Sequence, residues 1–286
     1  MVNPRAWLAE AIATFALVFF GPLSVILSAA WFGEGLSTEA VIFISLGHGG
    51  IIVLMVYAFG HVSGAHINPA VTIPMMILKK ISIKDGIGYI LFQIMGAIVA
   101  TLTLQALLPE IGKKVFWGAH GGPSELLGNS MMSGLAVEII LTFFLMVVIF
   151  MTAVHKNAPK QIYGGVIGGM VFMLHLVGVP LTGASMNPAR SFSPAVVAGD
   201  AGLWEVQWLY WVGPIIGGMV FMLHLVGVPL TGAAMNPARS FSPAVVAGDA
   251  GLWEVQWLYW VGPIIGGIIG AVVMHYIFTK PAEKEA

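Results

Sequence analysis

Apolar stretches of about 20 residues, the length at which a helix crosses the hydrocarbon core of a bilayer, recur along this 286-residue chain. They fall near 6–30, 40–60, 87–108, 131–154, 162–180, 204–228 and 253–278. Charged residues make up only 9% of the chain, against 58% hydrophobic, whereas a soluble domain carries about 25% charged residues. So few charges cannot cover a soluble core of this size, so the expected fold is all-α and membrane-spanning. A net charge of −1 offers nucleic acid no attraction, and the lack of cysteine excludes disulfides and thiolate chemistry. The opening MVNPRAWLAE leads into a long apolar run without a short h-region and cleavage site, and reads as a retained first span rather than a removable leader. The sequence contains no metal-ligand cluster, nucleophile triad or phosphate loop. This argues against an enzyme and against any bound cofactor or metal.

The basic residues orient the spans. Arg5, Lys79, Lys80, Lys84, Lys156 and Lys160 fall on one side if the chain starts inside the cell, and Lys113 and Lys114 fall in the 109–130 loop on the other. An excess of Lys and Arg marks the cytoplasmic side, which puts the N-terminus in the cytoplasm. Small residues four apart, Gly60/Gly64, Gly164/Gly168 and Gly266/Gly270, would let helices approach closely.

Three apolar pieces are too short to span: 68–78, 187–198 and 236–247, and each opens on Asn-Pro-Ala. Two kinds of repeat lie behind them. AEAIATFALVFF at 9–20 resembles VEIILTFFLMVV at 137–148, and each half later reaches an Asn-Pro-Ala. Three spans separate the two starts, so the halves, about 1–108 and 131–228, are inserted upside down relative to each other. Inverted repeats with broken helices meeting at the midplane are a transport architecture. The second repeat is nearly perfect. Residues 167–218 recur as 216–267 with one difference, Ser185 against Ala234. Packing tolerates many substitutions and cannot require such identity. The repeat reads as a recent tandem duplication, an engineered product or a sequence-assembly error. Removing one copy leaves six spans and two half-helices.

Asparagine is a good N-cap, and proline suits the first helical turn, where its missing N–H would be unpaired anyway. Asn68-Pro69-Ala70 and Asn187-Pro188-Ala189 therefore each read as a helix start. Two such helices entering from opposite faces would bring their positive dipole ends to one point in mid-membrane. Irregular backbone is tolerated there only where it is buried in protein or lines a wet cavity. The two asparagine amides could donate to one passing water, and the positive ends would repel protons and cations. Only Arg190 and its copy Arg239, among twelve basic residues, sit in an apolar context. A charge there is costly and should face a water-filled path.

The segments GHVSGAHINPAVT, GASMNPARSFSPAVV and AEAIATFALVFFGPLS closely resemble the aquaporin (major intrinsic protein) family. The resemblance covers essentially the whole chain apart from the extra 49-residue copy. It implies an aquaporin-like right-handed bundle of six transmembrane helices with two re-entrant half-helices, assembled as a homotetramer in the plasma membrane with one pore per protomer. An extra half-helix and span follow here. By resemblance Arg190 is the selectivity-filter arginine, and counting from the motifs adds His175, Ala184 and His48 to the ring at the narrowest point. His175 resembles water-selective members, since glycerol facilitators usually carry glycine there. Ser191, Ala195 and the Tyr210-Trp211 pair also match the water type. His48 departs from the phenylalanine of strict water channels and Ala184 is small, which leaves room for ammonia or similar neutral solutes. Glu10 and Glu138, acids placed inside spans, could be proton relays. Their symmetric placement and the resemblance favour a structural role, accepting bonds from the backbone of the pore loops.

The expected function is a passive channel for water in single file, with membrane lipid and water as its partners. An ion-coupled transporter would need titratable groups at the midplane, where the asparagines are neutral. A non-conducting structural membrane protein is the third possibility, because of the duplication. The first copy is expected to complete the channel over 1–228, leaving 229–286 as a duplicated half-helix, a further span and a tail. On this reading Arg190 faces His48, and His224, Ala233, Asn236, Pro237, Ala238 and Arg239 are counterparts outside the pore.

Overall fold

A computed structural model describes residues 3–231 apart from Glu34, Pro159 and Lys160, with side chains as far as Phe221. The chain divides into two compact units, Met1–Phe221 and Met222–Ala286. The first contains every site residue outside the second copy. The described elements are all helical: α1 Pro4–Phe32, α2 Thr38–Ser63, α3 Pro69–Ile77, α4 Ile83–Leu107, α5 Pro109–Lys114, α6 Met131–Ile149, α7 Tyr163–Thr182, α8 Pro188–Ala198 and α9 Ala201–Thr231. One π-helical turn, Phe150–Val154, extends α6. Among the described residues, α1, α2, α4, α6 with its π turn, and α7 are long and apolar enough to cross a membrane. α9 is a single helix of 31 residues, about 46 Å at 1.5 Å per residue. It covers the expected 204–228 span, including the junction between the two copies.

Polar caps start four of the long helices, α1, α2, α4 and α6, whereas α7 follows Ile162 with no side-chain cap. Asn3, Ser37, Ser82 and Ser130 accept from the backbone N–H groups of Ala6, Ala40, Asp85 and Ser133. Each satisfies a donor that the first helical turn leaves open. Inside the bilayer, small residues set the packing. A Cβ on Gly168 would lie 2.6 Å from the Gly49 carbonyl, and one on Gly49 would lie 2.7 Å from the Gly168 carbonyl. α2 and α7 therefore touch backbone to backbone. Of the glycines expected to do this work, Gly60 and Gly164 also lie at close approaches, against Tyr163 and Tyr57. Gly64 does not. It is the left-handed C-cap of α2, a conformation that glycine adopts without strain. Gly266 and Gly270 lie outside the described residues.

α4 shows how the half-helices run. Gly86, near its start, packs against Met76 at the end of α3. Thr101, near its end, hydrogen-bonds Ser193 of α8 at 2.9 Å, and Leu104 and Leu108 pack with Trp117 and Ala198 at the far end of α8. α3 and α8 thus run in opposite directions along α4, away from a shared meeting point at their N-termini.

Candidate functional site

The two loops that deliver the half-helices are near copies in backbone as well as sequence. Gly64, Ala65 and Ile67 have φ of 86°, 47° and 58°, and Gly183, Ala184 and Met186 have 84°, 54° and 50°. Positive φ strains a residue that carries a Cβ, so each loop needs something to hold it. A buried carboxylate supplies that hold. Glu10 accepts from the backbone N–H groups of His66 (2.9 Å) and Ile67 (2.6 Å), from Ser63 Oγ (2.6 Å) and from Gln93 Nε2 (2.8 Å). Glu138 accepts from Ser185 N (3.0 Å), Met186 N (2.8 Å) and Thr182 Oγ1 (2.7 Å). Two tyrosines complete the symmetry. Tyr89 donates to the Ser63 carbonyl and Tyr210 to the Thr182 carbonyl, both at 2.7 Å.

At the meeting point, Asn68 caps α3 by accepting from Ala70 N (2.8 Å), and Asn187 caps α8 by accepting from Ala189 N (3.1 Å) and Arg190 N (3.3 Å). Their amide groups cross over. Asn68 Nδ2 donates to the Met186 carbonyl at 2.7 Å, and Asn187 Nδ2 donates to the Ile67 carbonyl at 2.9 Å. Each asparagine thus fastens the loop of the other half. An amide NH2 carries two donors, so one N–H per asparagine remains to face the cavity that both residues line. Pro69, Ala70, Pro188 and Ala189 are buried in the first turns of α3 and α8.

The cavity has a volume of about 510 Å³. It runs from His48, His175 and Arg190 past Asn68 and Asn187 to Lys80, Val154 and Tyr163. At the end lined by His48 and His175, Arg190 Nε and Nη2 lie 3.4 and 3.3 Å from His48 Nε2, and Nη1 donates to the Gly118 carbonyl at 2.7 Å. His48 Nδ1 sits 2.9 Å from the Ile44 carbonyl, which assigns the ring proton to Nδ1 and leaves Nε2 as the acceptor for Arg190. His175 stacks on His48 with ring centroids 4.4 Å apart. Its Nδ1 bonds the Val171 carbonyl at 2.8 Å, and its Nε2 has no protein partner. Three of the four residues expected at the constriction therefore come together. Ala184 does not line this cavity. It is fully buried, and its Cβ faces Gly178, where an added Cβ would lie 2.8 Å from it. Its positive φ turns the methyl group towards α7.

The sequence reading missed the loop that closes over Arg190. Besides the Gly118 carbonyl, His120 Nδ1 lies 3.0 Å from Ser191 Oγ, Gly122 N donates to Tyr210 Oη at 3.0 Å, and Ser124 N donates to the Leu181 carbonyl at 2.8 Å. Burial, with the neighbouring Arg190 guanidinium adding to it, holds the His120 pKa well below its ordinary value, so the imidazole stays neutral. A buried His in a Gly-rich loop carries no periodic signal. The anchors Ser63 and Thr182 could have been found, since both stand five residues before an Asn-Pro-Ala. The copies Ala233, Asn236, Pro237, Ala238 and Arg239 lie outside the described residues, and His224 is described only as a backbone position of α9.

A family model described as major intrinsic protein matches residues 1–221, and again 219–274. The chain belongs to the major intrinsic protein family. Within it, the chain is similar to Aquaporin-4 of Rattus norvegicus, 42% identical over 213 residues that cover 73% of this chain and 63% of that protein. The chain thus spans 63% of the length of this relative. It is also similar to the probable aquaporin PIP2-6 of Arabidopsis thaliana, 34% identical over 224 residues that cover 73% of this chain and 75% of that protein. The solved aquaglyceroporin from Plasmodium falciparum has the same fold, with a TM-score of 0.68 at 23% identity over 80% of this chain and 97% of that one. A member of the major intrinsic protein family with these spans is a multi-pass membrane protein.

Proposed function

We propose that this chain is a passive channel that carries water in single file and excludes protons and ions. The crossed asparagine bonds carry the reading. They fix two helix N-termini tip to tip on one cavity, with one amide N–H from each side free to orient a passing water. The positive ends of both dipoles and the Arg190 guanidinium make this passage hostile to cations. Asn68, Pro69, Ala70, Asn187, Pro188 and Ala189 form the central motifs of the channel. His48, His175 and Arg190 form its filter, with Ala184 behind the wall, and Glu10 and Glu138 hold the loops. The names of the aquaporin relatives support a water substrate.

The protein acts as a homotetramer in the plasma membrane with its N-terminus in the cytoplasm. Residues 1–228 form the channel, and 229–286 are the product of a tandem duplication. A second reading, a facilitator of ammonia or a similar small neutral solute, is favoured by His48, a polar imidazole where the phenylalanine of strict water channels stands, stacked on His175, whose Nε2 has no protein partner. Stopped-flow swelling of proteoliposomes with water, glycerol and ammonia separates the readings. Rapid water flux with little glycerol flux is expected, ammonia flux well above glycerol flux would favour the second reading, and no flux of any of the three would overturn both.

A further inference from the structure

His120 occupies a place that the sequence motifs do not explain. It is 3% exposed although it lies in a loop between helices. Its Nδ1 is 3.0 Å from Ser191 Oγ, next to Arg190 in sequence. Its ring packs on Tyr210 with centroids 4.6 Å apart. Its Cδ2 fills the space over Gly183, where a Cβ would sit 2.5 Å away. One imidazole thus touches the segments on both sides of the constriction, Gly183 before Ala184 and Ser191 after Arg190. Two residues earlier in the same loop, the Gly118 carbonyl accepts from Arg190 Nη1 at 2.7 Å.

The other partner of the guanidinium is His48 Nε2, and its bonds there are long, 3.3 and 3.4 Å. The bond to Gly118 is the short one that fixes where the guanidinium points. A carbonyl in a mobile loop would let the arginine swing. Gly122 and Ser124 tie this loop to Tyr210 and Leu181, and His120 ties it to the half-helix that carries the arginine.

We infer that His120 is a positioning residue for the filter: by clamping residues 118–122 onto Ser191 and Gly183 it holds Arg190 in the orientation that sets the aperture and excludes larger neutral solutes such as glycerol. The inference deepens the proposed function and rests on Arg190 acting as the filter.

The test uses the full-length chain in proteoliposomes, with the ratio of glycerol to water permeability as the readout. His120→Ala removes the bond to Ser191 and should raise the ratio about fivefold, the order of one net hydrogen bond. Ser191→Ala removes that bond together with the one from Ser191 Oγ to Gln207 Oε1 at 3.2 Å and should raise the ratio by at least as much. His120→Gln, which keeps an amide within reach of Ser191, should restore most of it. In an Arg190→Ala background the further change His120→Ala should do nothing, because its effect passes through the arginine. An additive effect in that background would show a general structural role and overturn the inference. If Arg190→Ala itself leaves the ratio unchanged, the filter reading has failed. Hydrogen exchange over residues 116–122 reads the clamp without any flux. It should quicken about fivefold in His120→Ala, as loss of one net hydrogen bond requires, and at least as much in Ser191→Ala, and unchanged exchange would overturn the clamp even if the chain conducts nothing.

Discussion

Arg190 and His48, 142 positions apart in the chain, meet side chain to side chain, with Arg190 Nη2 3.3 Å from His48 Nε2. Two copies of the arginine-bearing segment exist, and in this structure the first one reaches the histidine. Reaching it closes α2, α7 and α8 around one end of the cavity.

Replacing Arg190 with alanine should therefore widen and discharge the filter. Glycerol permeability is expected to rise at least tenfold, about 1.4 kcal/mol off the barrier, with measurable cation leak in conductance recordings. Arg239→Ala should leave both unchanged. An inverted pattern would assign the pore to the second copy.

Asn68→Ala and Asn187→Ala each remove a helix cap and the bond to the opposite loop. The cap is worth about 1 kcal/mol and the bond about as much again, so thermal unfolding in detergent should shift down by the equivalent of about 2 kcal/mol for either change. Near-equal losses are expected, because the two bonds mirror each other.

Glu10→Gln places an NH2 group among donors that now bond a carboxylate. Hydrogen bonds to a charged group contribute about 1.5–3 kcal/mol, and losing one while facing a donor to a donor should lower stability by at least that much. Glu138→Gln should behave the same way. If either variant retained wild-type melting and flux, the carboxylates would not be what holds the strained loops.

Gly168→Val pushes a side chain into the Gly49 carbonyl, since even a Cβ would lie 2.6 Å from that oxygen. Overpacking of this kind costs about 1–3 kcal/mol, and here the obstacle is backbone, which yields least. Reduced yield of folded protein on size-exclusion chromatography is the expected outcome. Gly169→Val, with no atom within 4 Å of an added Cβ, serves as the tolerated control.

Deleting residues 219–267 removes one copy and joins residue 218 to residues 268–286. Proteoliposomes of the shortened chain should conduct water at least as fast as those of the full chain. Flux that appears only after the deletion would mark the duplication as disabling. Neither form has a cysteine, so mercurials should block neither.

The sequence by itself determined the membrane class and, over the described residues, the spans and the two half-helices; the expected span 253–278 and the third short piece 236–247 lie outside those residues. Those features are written in local terms: runs of apolar residues as long as a bilayer is thick, and Asn-Pro pairs suited to N-cap and first helical turn ahead of a short apolar run. That Glu10 and Glu138 accept from the pore-loop backbone was expected from their symmetric placement together with the family resemblance; which carboxylate holds which loop came from the structure. Only the tertiary structure decided that each asparagine amide fastens the opposite loop, that Ala184 turns away from the cavity, and that His120 reaches Ser191. These are contacts between segments separated by dozens of residues, or by the sign of a single φ angle. Hydropathy and motif spacing cannot encode them, since they arise only when closely packed helices bring distant backbone groups within hydrogen-bonding reach.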